Sequence, residues 1–234
     1  MNVKIHGKLY KAKFVRRLNR FVAEIELEGQ KHYAHVANTG RMKELLVKDA
    51  TVLVRYVNEA HRKTKYDLVM VYYKQSLVCI DSKLPNILLE KALKNNEIHS
   101  FKGFTSVKKE VQFGSSRLDI AVNNGKEMAL IEAKCVTYVR EDGVASFPDA
   151  PTERGRKHVL ELIKARKQGI RAAVFFIIQR EDAKSFTPNK AMDTKFADAV
   201  IKAGKEGVEF YAFLCKNTPS EIRILKEIPV FFKG

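Results

Sequence analysis

The sequence of 234 residues has few glycines, prolines and cysteines, and it has no long apolar run. With only 12 Gly and 6 Pro, 45% hydrophobic and 30% charged residues, it is typical of one or two folded domains. Collagen-like, low-complexity and disordered chains are thereby excluded. The longest apolar run, 172–178, is far shorter than the roughly 20 residues that cross a bilayer. The N-terminal residues include no apolar segment followed by a cleavage site, so we expect a cytoplasmic protein.

Several common chemical motifs are also absent from the sequence. The three cysteines, Cys79, Cys135 and Cys215, form no CxxC pair, so neither a disulfide framework nor a zinc knuckle is indicated. We expect them to behave as small buried apolar residues. Since GxGxxG, GxxxxGK[ST], HExxH and GxSxG are missing, nucleotide-dependent and zincin activities have no support.

Acidic residues are fewer than basic ones: the sequence has 27 Asp and Glu and 43 Lys and Arg, which gives a formal net charge of +16. Such an excess favours a polyanionic partner, because neutralising phosphates releases condensed counterions. A generally basic proteome or a lysine-rich thermophile surface would also explain it. An anionic membrane surface is disfavoured, since no basic amphipathic helix with aromatic anchors is present.

Residues 8–81 contain short alternating runs separated by turn residues. They predict five or six strands, with one short helix over 41–46, and therefore an OB-type β-barrel. Basic residues alternate there with the aromatic residues Tyr10, Phe14, Phe21, Tyr33 and Tyr56. Interleaving of this kind suits a single-strand-binding groove, in which bases stack on aromatic rings. The alternative for each ring is a place in the barrel core.

At Leu84 the pattern changes to a helical period with Pro85 in the first turn, so we expect one domain over 1–83 and a second over 84–234. Downstream, extended runs over 107–113, 117–122 and 128–136 include a hairpin at Asn123-Asn124-Gly125. An irregular loop, a helix over 153–168, a buried parallel strand over 171–179, a helix over 194–204 and a strand over 208–215 follow. The second half is therefore predicted to be a mixed-sheet α/β domain.

The hairpin places carboxylates where a core is expected. Asp119 lies on its first strand, and Glu132 and Lys134, two residues apart, share one face of the second. An Asp followed by a strand with (Asp/Glu)-x-Lys is the pattern of the PD-(D/E)XK nucleases. Two carboxylates suit Mg²⁺ or Mn²⁺, and a lysine beside them can activate water or stabilise phosphate charge. Glu110 is a candidate third carboxylate.

The tripeptide alone is a weak signal, because DSK, DAK and DTK occur elsewhere in the chain. A Glu-Lys pair on a solvated strand face stays an alternative. The run FPDAPTERGRKH adds Arg154, Lys157 and His158 near a helix N-terminus, where phosphate binds readily. Solubility for the cations and a structural role for the histidine are the competing interpretations.

Longer runs carry a resemblance to a known family: RRLNRFVAEIEL, HVANTGRM, NEAHRKTKYDLV, LPN at 84–86, EVQFGSSRLDI, IEAKCVT, FPDAPTERGRKH and GVEF. In these runs the chain resembles the sugar fermentation stimulation protein family, SfsA. The resemblance implies an OB-like domain followed by a restriction-endonuclease-like, PD-(D/E)XK domain, and DNA binding without strong sequence preference. It places the nuclease motif on Glu110, Asp119, Glu132 and Lys134.

The leading hypothesis is a DNA-binding protein with a metal-dependent phosphodiesterase site, in which Asp119, Glu132 and Glu110 hold the metal. The candidate nucleic-acid contacts are Arg16, Arg17, Arg20, Arg41, Arg62, Lys63, Lys65, Arg154, Lys157 and His158. The competing hypothesis is a non-catalytic DNA-binding regulatory factor linked to sugar metabolism. A third hypothesis, a sugar-handling enzyme, has no support because the sequence contains no recognisable sugar-phosphate motif. Monomer and homodimer both stay open, although a homodimer would let two sites act on opposite strands.

Overall fold

In a computed structural model, residues 2–232 form a β-barrel packed against an α/β domain. Met1, Lys233 and Gly234, at the outer ends of the two expected domains, lie outside the described residues. The barrel strands are β2 (Leu9–Arg17), β3 (Val22–Leu27), β4 (Gln30–Val36), β5 (Thr51–Tyr56) and β6 (Tyr66–Tyr73), and β7 (Ser76–Cys79) extends β6. Their order is β4-β3-β2-β5-β6, and a parallel pairing of β4 with β6 closes the barrel. This is the strand order of an OB fold, as expected.

The prediction of a short helix over 41–46 is wrong. That segment is a single turn, in which the N–H groups of Leu45 and Leu46 donate to the carbonyl of Met42. Met42 has φ +47°, a left-handed conformation that a helix cannot continue through. Its side chain is buried in the barrel core, so tertiary packing overrides the helical pattern.

The second domain is built on a seven-stranded mixed sheet of order β1-β15-β14-β12-β10-β9-β8. Its strands are β1 (Asn2–Lys4), β8 (Ser106–Phe113), β9 (Ser116–Asn123), β10 (Met128–Val136), β12 (Arg171–Ile178), β14 (Glu209–Asn217) and β15 (Glu221–Ile228). The helices are α1 (Leu84–Lys94), α2 (Glu153–Lys167) and α3 (Thr194–Lys205), with a 3-10 turn at His99–Phe101. The strands β10, β12 and β14 run parallel, as the buried run over 171–178 predicts.

Two hydrophobic layers cover the two faces of this sheet. On one face α2 and α3 pack against it, and Val159 and Phe196 belong to the same hydrophobic cluster as Phe176. On the other face, α1 and the barrel residues Met70 and Cys79 pack with Ile131. The barrel is therefore fixed to the α1 face of the sheet by apolar burial.

Four strands differ from the sequence prediction. The strand β1, within the expected domain 1–83, pairs with β15 and so belongs to the second sheet. The loop expected before α2 contains β11 (Val144–Phe147), which pairs with β13 (Ser185–Pro188). The strands β13 and β15 have no counterpart among the predicted elements. Within residues 2–232, no helix combines the length and apolar character that crossing a membrane demands.

Candidate active site

Asp119 lies where the β9–β10 hairpin opens. The two strands pair from Asn123 and Met128 as far as Ile120 and Ile131, and the pairing stops there. Beyond that point the carboxylate Oδ2 of Asp119 accepts a hydrogen bond of 2.9 Å from the backbone N–H of Ala133. Asn86, in the first turn of α1, also donates to this carboxylate. The gap between the strands is thus held by a charged side chain instead of a backbone ladder.

Glu132 is the centre of a buried charged group on the α2 side of β10. Its side chain is 3% exposed, and Oε1 lies 2.5 Å from both Nζ of Lys134 and Nδ1 of His158. The second oxygen, Oε2, is buried and has no hydrogen-bond partner among residues 2–232. An unpaired buried carboxylate oxygen is costly, so this atom is suited to an additional positive ligand.

The two carboxylates are shifted in opposite directions. Burial, with the charge of Glu132 beside it, raises the pKa of Asp119 to about 6. Burial would also raise the pKa of Glu132, but the charges and hydrogen bonds of Lys134 and His158 outweigh it and lower that pKa to about 2. Carboxylates whose environments separate their pKa values in this way are typical of functional sites. A cation between them would remove the cost of ionising Asp119.

Among the described residues, no group of three or more His, Cys, Asp or Glu is arranged to hold a metal ion. Asp119 and Glu132 are therefore a two-carboxylate set. Mg²⁺ is usually held by one or two carboxylates and retains water and substrate phosphate as its other ligands. The unpaired Oε2 and the raised pKa of Asp119 fit such an ion.

The structure does not bring Glu110 to this pair. Glu110 lies opposite Asp119 in the β8–β9 register, and this is the one position at which the pairing of the two strands is interrupted. The backbone of Glu110 has φ +56°. The Glu110 carboxylate is 55% exposed and pairs with Nε of Arg117 at 2.6 Å. A kink in the strand therefore turns the third candidate carboxylate into a surface ion pair.

The candidate cations on α2 are placed differently from one another. His158 is buried and contacts Glu132, so the structure places it inside the site and not on a phosphate-binding surface. Lys157 donates to the carbonyl of Ser115, and Arg154 is exposed. A groove of about 570 Å³ lies between these cations and the β8–β9 turn, lined by Ser115, Ser116, Arg117, Glu153, Arg154, Arg156, Lys157, His158 and Leu160.

On the barrel, only part of the predicted cationic set is unpaired. Arg17 donates to the carbonyls of Arg20, Asn38, Gly40 and Arg41 and so organises the loop over 38–41. Two further arginines are in ion pairs, Arg16 with Glu24 at 2.7 Å and Arg62 with Asp67 at 2.5 Å. The exposed members that form no ion pair within residues 2–232 are Arg20, Arg41, Lys63 and Lys65. Of the aromatic side chains, Phe14 is in the core, whereas Phe21, Tyr33 and Tyr56 are exposed.

Sequence reasoning missed three residues that shape the site. Asn86 bonds to Asp119, and Asp149 joins the second domain to the barrel by accepting the N–H of Met42 at 3.0 Å. A Cβ at Gly40 would lie 2.5 Å from both oxygens of Asp149, so glycine is required there. Their signal was present in the runs LPN, NTGRM and FPDAP, but nothing in the sequence pairs those runs with one another.

The cysteines have no part in the site. Cys79 and Cys215 are buried, as expected, and Cys135 is half-buried. All three are free thiols, and burial raises the pKa of Cys215 to about 12. A thiol with so high a pKa is a poor nucleophile at neutral pH.

Fold and site together define a two-domain protein in which an OB barrel is joined to a restriction-endonuclease-like domain. Comparison with known families gives the same division. Residues 15–80 match the SfsA N-terminal OB domain, and residues 83–221 match the sugar fermentation stimulation protein RE domain. The chain belongs to the SfsA family.

Individual relatives match nearly the whole chain. The sugar fermentation stimulation protein homolog of Alkaliphilus metalliredigens is 58% identical over 232 residues, which is 99% of this chain and 100% of the relative. The homolog of Caldanaerobacter subterraneus subsp. tengcongensis is 46% identical over 97% of this chain and 98% of its own. The solved structure of Pyrococcus furiosus SfsA in complex with Ca²⁺ superposes with a TM-score of 0.89 at 30% identity, covering 98% of this chain and 99% of that one.

Proposed function

We propose that this protein binds DNA with little sequence preference and cleaves its backbone with Mg²⁺ or Mn²⁺ at Asp119 and Glu132. The observation that carries the proposal is the buried Oε2 of Glu132, which has no hydrogen-bond partner among residues 2–232 and shares the opened hairpin with Asp119. The net charge of +16 supports a polyanionic substrate. The Ca²⁺ complex of the archaeal relative supports a divalent metal in this family.

We assign a different role to each residue of the site. Asp119 and Glu132 would hold the metal, which when bound supplies a Lewis acid for a phosphate oxygen and a position for the attacking water. Lys134 would stabilise the negative charge that develops on the phosphate. His158 and Asn86 orient the two carboxylates through hydrogen bonds, as outer partners of metal ligands commonly do. A DNA substrate would place this activity in the cytoplasm.

The test is cleavage of end-labelled single-stranded and duplex DNA and RNA in Mg²⁺, Mn²⁺ or EDTA. We expect Asp119→Asn and Glu132→Gln each to lower metal-dependent cleavage at least about 100-fold, while binding in EDTA is retained. Glu127→Gln is the matched control, because this exposed carboxylate lies in the turn at the other end of the same hairpin. We expect it to cleave like the wild type.

If the wild type binds DNA with steep salt dependence but cleaves none of these substrates with either metal, the proposal is wrong. The non-catalytic DNA-binding regulatory factor would then be the better description. Sedimentation of the same preparation with and without DNA distinguishes a monomer from a homodimer.

A further inference from the structure

A cleft of about 1000 Å³ lies between the barrel and the second domain. Its barrel wall is formed by β2, the β2–β3 turn and the loop over 38–48. Its other wall is formed by the end of β10, with Cys135 and Thr137, and by the segment over 146–152. The cleft therefore exists only because the two domains are packed together.

The walls of this cleft are strongly basic. Six cationic side chains line it, namely Arg16, Arg17, Arg20, Arg41, Lys43 and Lys48, against a single carboxylate, Asp149. Five of the six are exposed, and four of these, Arg20, Arg41, Lys43 and Lys48, have no ion-pair partner within residues 2–232, whereas Arg16 pairs with Glu24. The Asp149 carboxylate is directed at the N–H of Met42 and packed against Gly40. The cleft consequently offers unneutralised positive charge to a ligand.

The basic wall is held in place by contacts on both sides. The Arg17 guanidinium donates to carbonyl groups of the loop over 38–41. From the second domain, the Asp149 carboxylate accepts the N–H of Met42, the residue that follows this loop. The backbone that carries Arg41 and Lys43 is thus held in place before a ligand binds, which reduces the entropy lost on association.

The cleft and the carboxylate site are adjacent at the end of β10 and at the start of α2. Cys135, in its wall, directly follows Lys134, and Thr152, also in its wall, caps the N-terminus of α2 by accepting from the N–H of Gly155. The groove described above begins at the next residue, Glu153, and includes His158, which contacts Glu132. Residues that are neighbours in sequence thus connect the cleft, the groove and the carboxylate site, and both depressions carry cationic side chains.

The dimensions favour an unpaired strand. The cleft volume of about 1000 Å³ is at the upper end of the range for small-molecule sites, so the cleft has room for a few nucleotides of a single strand. The half-buried ring of Tyr138 lines the cleft, and Phe21, which follows the lining residue Arg20 in sequence, is exposed. Aromatic rings beside a basic groove are the features that bind single strands through base stacking.

We propose that the interdomain cleft binds a few nucleotides of single-stranded DNA and delivers that strand to the site of Asp119 and Glu132. Single strands, flaps and frayed ends are then the substrate class. The cleavage step rests on the proposed function, whereas strand binding in the cleft does not.

The test compares two variants that each remove two positive charges. Arg41→Ala/Lys43→Ala removes exposed cations of the cleft, and Lys202→Ala/Lys205→Ala removes exposed cations of α3. Binding of a fluorescein-labelled oligothymidine of about 12 nucleotides, a length within the range that OB folds bind, is measured in EDTA over a series of salt concentrations. A duplex of the same length is the second probe.

For the cleft variant we expect binding of the single strand to weaken at least about tenfold at 0.1 M salt. The slope of log K against log salt should fall by roughly 1.4, because each contact with a single-strand phosphate contributes about 0.7. The α3 variant should stay within about twofold of the wild type. Equal losses in both variants, or a duplex bound as tightly as the single strand and equally dependent on Arg41 and Lys43, would overturn the proposal.

Cleavage by the same proteins separates this proposal from the one on which it rests. Binding that depends on the cleft in a protein that never cleaves would refute only the nuclease activity. Metal-dependent cleavage that Arg41→Ala/Lys43→Ala leaves unchanged would refute only the cleft.

Discussion

At the residue scale, the charged side chains of this protein are distinguished by their partners and not by their type. Arg62 belongs to a basic cluster in the sequence, NEAHRKTK, that suggested phosphate binding. In the structure its guanidinium lies 2.5 Å from Asp67, which also pairs with Arg55 at 2.9 Å. Lys63 and Lys65, from the same cluster, are exposed, and we still predict that they contact phosphate.

We expect Arg62→Met to lower the free energy of unfolding at pH 7 by about 1 kcal/mol, the upper end for a partly exposed ion pair. Burial raises the pKa of Asp67, but Arg62 and Arg55 outweigh burial and hold the folded pKa below its ordinary value. The ionised carboxylate therefore stabilises the fold above the unfolded pKa of about 3.9, and this contribution is lost as the pH falls through the folded pKa.

Urea unfolding of both proteins at pH 7 and near pH 3 measures this difference, which should shrink at the lower pH. The salt dependence of oligothymidine binding is the second measurement. A slope reduced by about 0.7 in Arg62→Met would contradict our assignment, since it would show that Arg62 contacts phosphate.

At the element scale, the loop over 38–42 and the segment over 146–152 act as one unit although they belong to different domains. The first contains Gly40 and the left-handed Met42, and the second supplies Asp149. Burial raises the pKa of Asp149, although its backbone hydrogen bonds and Arg17 oppose that shift. The junction therefore includes a desolvated carboxylate that is stable only while the loop N–H groups face it.

A double-mutant cycle on Gly40 and Asp149 tests this junction. Asp149→Ala should cost about 1–3 kcal/mol, because the Met42 N–H loses its acceptor. Gly40→Ala alone should also be destabilising, since its Cβ would lie 2.5 Å from the carboxylate oxygens. In the Asp149→Ala background that contact is absent, so we expect a coupling free energy of about 1–3 kcal/mol by urea unfolding. Costs that simply add would show that the two residues do not interact.

At the scale of the whole molecule, the start of the chain is part of the second domain. β1 pairs with β15 in antiparallel register, and Val3 is buried against the α1 face. Asn2 donates to the carboxylate of Glu221, 219 residues away in sequence. The chain thus leaves the second sheet, forms the barrel and returns to the same sheet.

Val3→Ala should lower the free energy of unfolding by about 1–2 kcal/mol, the value of the buried methyl groups removed. Hydrogen exchange locates the effect, because the amides of a strand with a weakened neighbour open more often. We expect faster exchange in β15, at Ile222 and Ile224, and unchanged exchange in β3. Acceleration in β3 would place β1 with the barrel instead.

The local sequence pattern by itself determined most of the strands, the hairpin and the pair of carboxylates. The period-2 runs predicted the barrel strands, Asn123-Asn124-Gly125 predicted the β9–β10 hairpin, and the change at Leu84 coincides with the start of α1. The residue types on the hairpin predicted Asp119 and Glu132 as a carboxylate pair. These features depend on neighbours in sequence, through side-chain alternation and turn chemistry.

Only the tertiary structure decided which charges are free and which are paired. The contact between His158 and Glu132 spans 26 residues and that between Met42 and Asp149 spans 107, and the kink at Glu110 removes that residue from the site it was predicted to join. Sequence periodicity determines the face on which a side chain lies but not the partner it meets. That partner is set by the packing of α2 and of the barrel on the sheet, and the packing of the barrel also creates the basic cleft between the domains.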